Sequence, residues 1–205
     1  MIARIARGGW GPDRDAALHD ARERLLPALR ARDGYRGLMV VEDSAAAEII
    51  LTSYWTTAAE MSAAEAAVSG ICAEILGAGE PDVDHHLVAV SVGAHSAVEG
   101  SWVRVLDATV DNDRMATAIA HFRQRVVGAL GQTPGFLSGV LFADPSTART
   151  MLATAWDTGE HMLLSASRLA PLREEARMEF GMRIRRVWNA RLLLADLPAP
   201  VVATG

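Results

Sequence analysis

The chain has 205 residues, of which 50% are hydrophobic and 22% are charged. This composition suits one globular domain or two small ones and excludes disorder for most of the chain. The net charge of −5 gives no electrostatic reason to expect nucleic acid or an anionic membrane as a partner. All 20 basic residues are arginine, which excludes Schiff-base chemistry and a phosphate-loop lysine.

The amino terminus has no apolar stretch of signal-peptide length, and no window approaches the roughly 18 apolar residues needed to cross a bilayer. We therefore expect a soluble, cytoplasmic protein. The use of arginine in place of lysine, together with many alanines, suggests a GC-rich bacterial genome. The single cysteine, Cys72, cannot form an intrachain disulfide, and its Ala-rich helical surroundings favour a buried, inert thiol.

Each half of the chain opens with a short apolar strand, at residues 2–6 and 102–106. Acidic helix starts follow, ProAspArgAsp in the first half and AspAsnAspArg in the second, and a helix of about five turns should follow each. Apolar residues recur on one face of both helices, which predicts that each helix covers a sheet. They are Leu18, Leu25 and Leu29 in the first helix, and Met115, Ala118, Ile119, Phe122, Val126 and Leu130 in the second.

A hairpin is predicted next in each half, from strands at 35–41 and 48–55 and from strands at 136–142 and 150–156. Second helices should run from about 58 to 76 and from 159 onward, and Pro171 should break or kink the later one. Closing strands are predicted near 83–92 and 184–194.

The two halves repeat each other at a spacing of 101 residues. ArgGluArgLeuLeuProAlaLeu at 22–29 matches ArgGlnArgValValGlyAlaLeu at 123–130, and the register continues without a gap. Trp55 meets Trp156 in this register, and the match weighs heavily because tryptophan is rare. A period near 100 is too long for a solenoid repeat and fits a duplicated small domain.

The predicted order βαββαβ in each half is that of a ferredoxin-like unit, with two helices on one face of a four-stranded antiparallel sheet. The bare sheet faces of two such α+β units can cover one another, and a covalent duplication allows this within one chain. We place the repeats at 1–97 and 98–196, with the joint near 93–100. Residues 197–205 should form an extended tail.

In each half, the early strand, the acidic helix start, ProGlyPhe or AspGlyTyr, the hairpin and a third strand ending in Trp resemble the antibiotic biosynthesis monooxygenase family, of the dimeric α+β barrel superfamily. The resemblance covers nearly all of residues 1–195. It implies ferredoxin-like units whose sheets pair into a barrel, usually by homodimerisation. This chain would be a fused pseudo-dimer that could still form a homodimer.

Catalytic members of that family oxidise anthrones and related polyketides to quinones with O2, without flavin, metal or haem. The resemblance thus implies a cofactor-independent monooxygenase that acts on a small polycyclic phenol. Such chemistry needs a water-poor cavity that binds the phenol, helps it lose a proton and lets the carbanion reduce O2. A non-catalytic ligand-binding or structural protein is the main alternative, and a haem-binding or haem-degrading relative is the third.

Trp156 and Trp55 match the family's pocket tryptophan, and core packing is the alternative for both. Strand alternation places Leu152 and Thr154 on the face of Trp156, and Leu51 and Ser53 on the face of Trp55. Leu51 and Leu152 stand where several catalytic members have asparagine, so proton handling must come from another group.

Arg4 and Arg104 lie on the two first strands, where a guanidinium could hold a phenolate, although such arginines often extend to water. His161 follows Trp156 by five residues at a helix start, where the dipole favours a neutral base. An exposed helix-start residue is the alternative for His161. Met162 is a candidate substrate contact or core filler.

Other histidines give weaker signals. His121 and Arg125, one helical turn apart, should form a solvated edge. His85 and His86 point to opposite strand faces, so they cannot jointly bind a metal, and no metal site is expected although Asp82 and Asp84 lie nearby. The sequence also lacks a GlyXaaSerXaaGly nucleophile elbow and a GlyXaaGlyXaaXaaGly dinucleotide loop.

Overall fold

The computed structural model describes residues 1–43, 45–77, 81–93 and 97–197. Its eight strands are hydrogen-bonded to one another in a closed sequence. Neighbouring strands are hydrogen-bonded in the order β1-β3-β2-β8-β5-β7-β6-β4, so the protein is an α+β fold with an eight-stranded antiparallel barrel. The strands are β1 (Ile2–Gly8), β2 (Tyr35–Asp43), β3 (Glu48–Trp55), β4 (Asp82–Gly93), β5 (Trp102–Thr109), β6 (Phe136–Asp144), β7 (Arg149–Trp156) and β8 (Arg183–Asp196).

The helices lie between these strands in the order predicted from the sequence. They are α1 (Arg14–Asp20), α2 (Leu26–Arg30), α3 (Ala58–Ile75), α4 (Met115–His121), α5 (Val127–Gly131), α6 (Gly159–Arg168) and α7 (Ala170–Phe180). The predicted hairpins and closing strands are confirmed, with small shifts at their ends. None of the described helices is both long and apolar enough to cross a membrane.

Residue contacts divide the chain into two units. Of the described residues, unit 1 contains Met1–Leu87, Val98–Gly100 and residues 191–197. Unit 2 contains Ser101–Ala190 with residues 88–93 and 97. The long strands β4 and β8 contribute residues to both units, since β4 divides after Leu87 and β8 after Ala190.

Unit 1 is a sheet covered by α1, α2 and α3. Within the unit, β1 pairs with β3 and with residues 82–87 of β4, and β2 pairs with β3 and with residues 191–196 of β8. Thr57 caps α3 through a hydrogen bond from the Glu60 backbone N–H, which satisfies one free amide of the first turn. Buried residues recur along α3 every three or four positions, at Met61, Ala64, Val68, Cys72 and Ile75. The thiol of Cys72 is buried as predicted.

Unit 2 has the corresponding strands β5, β7 and β6, but its second helix is divided. Thr158 caps α6, which ends at Arg168, and α7 starts again at Ala170 with Pro171 in its first turn. Proline lacks an N–H and its ring crowds the preceding turn, so Pro171 ends α6 as the sequence predicted. Gly181 then terminates α7 in the left-handed region, with φ of 62°.

The first helix of each half differs from the sequence prediction. Instead of one regular helix, a π-helical turn interrupts each, at Ala21–Leu25 and at Phe122–Val126. A π turn inserts an extra residue and rotates the flanking helical faces relative to one another. The two interruptions are 101 residues apart, as the repeat spacing requires.

Some predicted features stay predictions. Residues 94–96 of the predicted joint and residues 198–205 of the predicted tail lie outside the described residues. The repeat boundaries at 1–97 and 98–196 were drawn from sequence register alone.

Candidate functional site

A cavity in unit 2 is the candidate site. It has an empty volume of about 950 Å³, which includes its opening to solvent. Its walls come from β5, β6 and β7 and from α4, α6 and α7, and most of them are hydrocarbon, including Leu106, Ile119, Phe122, Leu141, Leu152 and Phe180. The polar lining residues include Arg104, His121, Thr154, Ser165 and Arg173. We call this space the unit 2 cavity.

Strand pairing builds the sheet wall of the cavity. Arg104 on β5 lies opposite Thr154 on β7, and Leu106 lies opposite Leu152. Since alternate residues of a strand share one face, these four side chains project together. Three of the predicted site residues, Arg104, Leu152 and Thr154, therefore line one cavity.

The Arg104 side chain is held without a carboxylate. Its Nε donates to Asn189 Oδ1 at 3.0 Å, and its Nη1 lies 3.5 Å from Ser165 Oγ. Burial lowers the pKa of Arg104, and the positive charge of Arg173 lowers it further. An arginine starts from so high a pKa that it remains a cation at neutral pH.

Arg173 on α7 is the second cation of the cavity. One of its Nη atoms donates to the Ala166 carbonyl oxygen, and burial lowers the pKa of this guanidinium too. Among the described residues, neither Arg104 nor Arg173 forms an ion pair with an acid. The unit 2 cavity thus combines apolar walls with two neighbouring positive charges. Residue patterns gave no sign of Arg173, because its position depends on where α7 lies after the break.

His121 lies at the end of α4, and its side chain is only 12% exposed. Its ring packs edge-on against Phe180, with 5.1 Å between the ring centroids. Its buried Nε2 makes no hydrogen bond within the described part of the chain, and the nearest acid oxygen, Glu175 Oε2, is 3.8 Å away. The prediction of a solvated edge is therefore wrong for His121, because α7 covers it, and right for Arg125, which is 59% exposed.

Trp156 is fully buried and is not one of the cavity-lining residues. Its Nε1 donates to Thr154 Oγ1 at 3.0 Å, and its ring meets Phe136 edge-on at 5.5 Å. The indole therefore orients a lining hydroxyl instead of forming the wall itself. Met162, also buried, packs in the same core cluster as Trp156.

Unit 1 repeats this arrangement around Trp55, whose Nε1 donates to Ser53 Oγ at 3.0 Å and whose ring meets Tyr35 edge-on at 5.8 Å. Its arginine is different. Arg4 is 4% exposed and pairs with both carboxylate oxygens of Glu65, at 2.7 and 2.8 Å. In the register that aligns the capping residues Thr57 and Thr158, Ala166 stands where unit 1 has Glu65.

His161 lies outside the cavity lining, in the first turn of α6. Its Nδ1 is 2.7 Å from Asp157 Oδ1, and its side chain is 36% exposed. This hydrogen bond lowers the pKa of Asp157. The roles predicted for His161, Met162, Trp55, Arg4 and Ser53 remain predictions, and the structure places none of these five in the cavity lining.

The described residues contain no group of three or more His, Cys, Asp or Glu side chains that could hold a metal ion.

Comparison with known proteins shows the fold class. No protein-family model matches the chain. Two uncharacterized proteins of Mycobacterium tuberculosis are each 28% identical over 189 residues, which is 91% of this chain and 84% and 80% of theirs. A candidate monooxygenase of Fusobacterium nucleatum superposes with a TM-score of 0.75 at 12% identity, over 98% of this chain and 95% of its own.

Two further solved structures share the fold. An anthrone oxidase-like protein has a TM-score of 0.67 at 10% identity, covering all of this chain and 96% of its own. A haem-degrading enzyme of Listeria monocytogenes has a TM-score of 0.54 at 12% identity, covering 97% of this chain and 100% of its own. The chain thus shares its fold with solved monooxygenase-like proteins and with a ferredoxin-fold protein related to antibiotic biosynthesis monooxygenases.

Proposed function

We propose that the chain is a cofactor-independent monooxygenase that oxidises a polycyclic phenol or anthrone with O2 in the unit 2 cavity. The observation that carries this proposal is an apolar cavity with two guanidinium groups that no acid among the described residues neutralises. An apolar cavity suits a fused aromatic ring system, and fixed positive charges stabilise the oxyanion of its enolate.

The proposed reaction removes a proton from the ring methylene of an anthrone. The carbanion gives one electron to O2, the substrate radical and superoxide combine through a new C–O bond, and the hydroperoxide loses water to form the quinone. One oxygen atom enters the product and the other leaves as water. The positive charges of Arg104 and Arg173 would stabilise the negative charge of the deprotonated substrate, and His121 Nε2, which makes no hydrogen bond among the described residues, would accept the proton.

The test is a rate measurement with 1,8-dihydroxyanthrone in air, followed by quinone absorbance against buffer alone. We expect the protein to exceed the uncatalysed rate and one ¹⁸O atom from ¹⁸O2 to enter the quinone. Arg104→Gln should lower kcat/KM about 10- to 100-fold, because an oxyanion then loses a charged donor. His121→Phe should act mainly on kcat.

Arg168→Gln is the matched control, because Arg168 is exposed at the end of α6 and lies outside the cavity lining. It removes one positive charge from unit 2 and should leave the rate unchanged. A rate no greater than that of buffer, for a protein that binds the product quinone, would instead support the alternative of a non-catalytic ligand-binding protein. A ligand-dependent rise in Tm would then occur without product.

Haem binding is the second candidate, and the buried, unbonded Nε2 of His121 in the cavity wall is the observation that favours it. An imidazole nitrogen is a common axial ligand of haem iron. A haemin titration that shifts the Soret band in the natural chain but not in His121→Phe would favour this function. A titration without any shift would exclude it.

The proposal also includes the origin of the fold as a tandem duplication of ferredoxin-like units. The duplication is supported by the two π turns, which lie 101 residues apart, and by the paired Trp–hydroxyl hydrogen bonds. Ala47 and Ala148, also separated by the repeat spacing, both have a left-handed backbone conformation. Superposition of the two halves in a crystal structure should give matching chain paths, and dissimilar paths would contradict it. A cytoplasmic location and a possible homodimer belong to the same proposal.

A further inference from the structure

The charges around the unit 2 cavity point to the kind of ligand that it takes. Two arginines in one apolar cavity repel each other, and each loses hydration by burial. A protein normally offsets such a cost with a carboxylate of its own, as Arg4 does in unit 1 through its two hydrogen bonds to Glu65. In unit 2, the described residues supply amide, hydroxyl and carbonyl oxygens to Arg104 and Arg173 but no acid.

A single difference between the second helices of the two units accounts for the missing carboxylate beside Arg104. Arg104 and Arg4 hold equivalent places on the first strands, since Arg104 lies opposite Thr154 and Arg4 lies opposite Ser53. Ala166 of α6 stands at the position of Glu65 in α3, since each follows its capping threonine by eight residues, and the neighbouring Ser165 Oγ donates to the Met162 carbonyl oxygen at 2.6 Å. Arg104 therefore keeps unused donor capacity, because a guanidinium has five N–H groups.

Acids near the cavity are engaged elsewhere. Glu174 pairs with Arg177 at 2.6 Å, and Glu175 pairs with Arg125 at 3.3 Å and lies 3.8 Å from His121 Nε2, so neither acid pairs with Arg104 or Arg173. Neither is a cavity-lining residue. A ligand that supplies a carboxylate would therefore neutralise charge that the described part of unit 2 leaves uncompensated.

We infer that the ligand of the unit 2 cavity is an aromatic carboxylic acid, whose carboxylate is bound by Arg104 and Arg173 while its fused rings lie against Leu106, Leu152 and Phe180. The inference rests on the proposed function for the choice of an aromatic body. A planar carboxylate matches the guanidinium fork in a way that a neutral phenol does not.

The test compares binding of matched ligands to the full chain by calorimetry. The probes are 1,8-dihydroxyanthraquinone-3-carboxylate, its 3-methyl counterpart without a carboxylate, and laurate as an aliphatic carboxylate. We expect the aromatic carboxylate to bind about 10- to 100-fold more tightly than the 3-methyl compound, the range of one or two charge-assisted hydrogen bonds. It should also bind more tightly than laurate.

Ala166→Glu is the decisive variant, because it places a carboxylate at the position that Glu65 holds beside Arg4 in unit 1. It should abolish the preference for the carboxylate ligand. Ala166→Gln, which has nearly the volume of the glutamate variant but no charge, should keep a preference. If Ala166→Glu does not fold, Arg173→Gln provides the second measurement and should lower affinity for the carboxylate ligand alone, with Arg168→Gln as its control.

Equal binding of the carboxylate and 3-methyl compounds would overturn the inference, and tighter binding of laurate would overturn its aromatic part. These failures are separate from a failure of the proposed function. If the protein oxidises an anthrone but shows no preference for the carboxylate ligand, the proposed function is supported and the inference about the ligand is contradicted. If the protein binds the aromatic carboxylate tightly but consumes no O2, the inference about the ligand is supported and the proposed oxidation is contradicted.

Discussion

At the scale of single residues, the two tryptophans make the same hydrogen bond in two different structural environments. Trp55 and Trp156 are both fully buried, and each donates its Nε1 proton to the hydroxyl two residues earlier on its own strand. Only Thr154 also lines a cavity that the structure describes. The same indole–hydroxyl pair is therefore structural in unit 1 and, through Thr154, also adjoins the candidate site in unit 2.

Replacing each tryptophan with phenylalanine separates these roles. Trp55→Phe and Trp156→Phe should each lower the free energy of unfolding by about 2 kcal/mol, because each loses a buried hydrogen bond and leaves a small void. Denaturant unfolding measures this loss. Only Trp156→Phe should also weaken quinone binding, by a few-fold, since Thr154 loses its donor. An equal effect of both variants on binding would argue against the unit 2 cavity as the site.

The sequence predicted part of the candidate site at this scale. Arg104, Leu152 and Thr154 could be predicted because strand alternation fixes which side chains share a face. Arg173 and His121 could not, because their places in the cavity depend on the direction of α7 after Pro171 and on the π turn that follows α4. Neither feature produces a periodic residue pattern that could be recognised in the sequence. The ion pair of Arg4 with Glu65, and the replacement of that glutamate by Ala166 in the second repeat, could be recognised only once the pairing of the strands was known.

At the scale of elements, the junction between α7 and β8 forms part of the cavity wall. Gly181 ends the helix with φ of 62°, and its neighbours Phe180 and Met182 both line the cavity. A Cβ at Gly181 would overlap the Asp111 carboxylate. The junction therefore needs glycine for two reasons, one of backbone conformation and one of space.

Gly181→Ala should destabilise the protein by about 1–3 kcal/mol, from left-handed strain and from the contact with Asp111. It should also weaken ligand binding, since both flanking side chains shift. In an Asp111→Ala background, the cost of Gly181→Ala should fall to about 1 kcal/mol, which leaves the strain alone. Thermal unfolding measures each variant.

Gly131→Ala is the matched control for this prediction. A Cβ at Gly131, in α5, would meet nothing within 4 Å, and its φ is not positive. The change should be neutral or stabilising by about 0.5–1 kcal/mol, because alanine favours the helix. Equal destabilisation at Gly181 and Gly131 would show that the junction is not specially constrained.

The elements themselves were largely predictable from the sequence. Hairpin strands and α3 followed from periodicity, and Pro171 marked the break between α6 and α7. The π turns at Ala21–Leu25 and Phe122–Val126 were not predictable, since they depend on hydrogen-bond register within an otherwise continuous helical pattern. The division of β4 and β8 between the two units was not predictable either, because pairing partners are distant in sequence.

At the scale of the whole molecule, Asp196 ties the end of β8 to the first half of the chain. Its carboxylate accepts hydrogen bonds from Arg30, at 2.6 and 3.1 Å, and from the Tyr35 hydroxyl at 2.9 Å. The hydrogen bond from Arg30 is the main cause that lowers the pKa of Asp196, and the hydrogen bond from Tyr35 adds to it. Unit 1 is thus completed by a residue near the far end of the described chain.

The lowered pKa of Asp196 makes part of the stability depend on pH. Because the carboxylate binds its proton less readily in the folded state, its contribution is fully present above the unfolded pKa near 3.8 and is lost as the pH falls through the folded pKa. Asp196→Asn should therefore lower Tm at pH 7, and the difference from the natural chain should shrink toward pH 2–3.

Asp113→Asn is the control for the pH experiment. Asp113 is 83% exposed, and its carboxylate lies 3.8 Å from Arg114. This change should leave Tm unaltered at both pH values. A Tm difference for Asp196→Asn that persists undiminished at pH 2–3 would show that the carboxylate charge is not the cause.

The division of β8 also limits how such a gene could be rearranged. Residues 191–196 complete the sheet beside β2, and residues 88–93 of β4 belong to unit 2. Cutting the coding sequence at its midpoint would produce two polypeptides, each lacking a strand segment that its own sheet requires. Two separately translated halves could recover their folds only by exchanging these strand segments. Selection should therefore favour keeping both halves in one polypeptide chain.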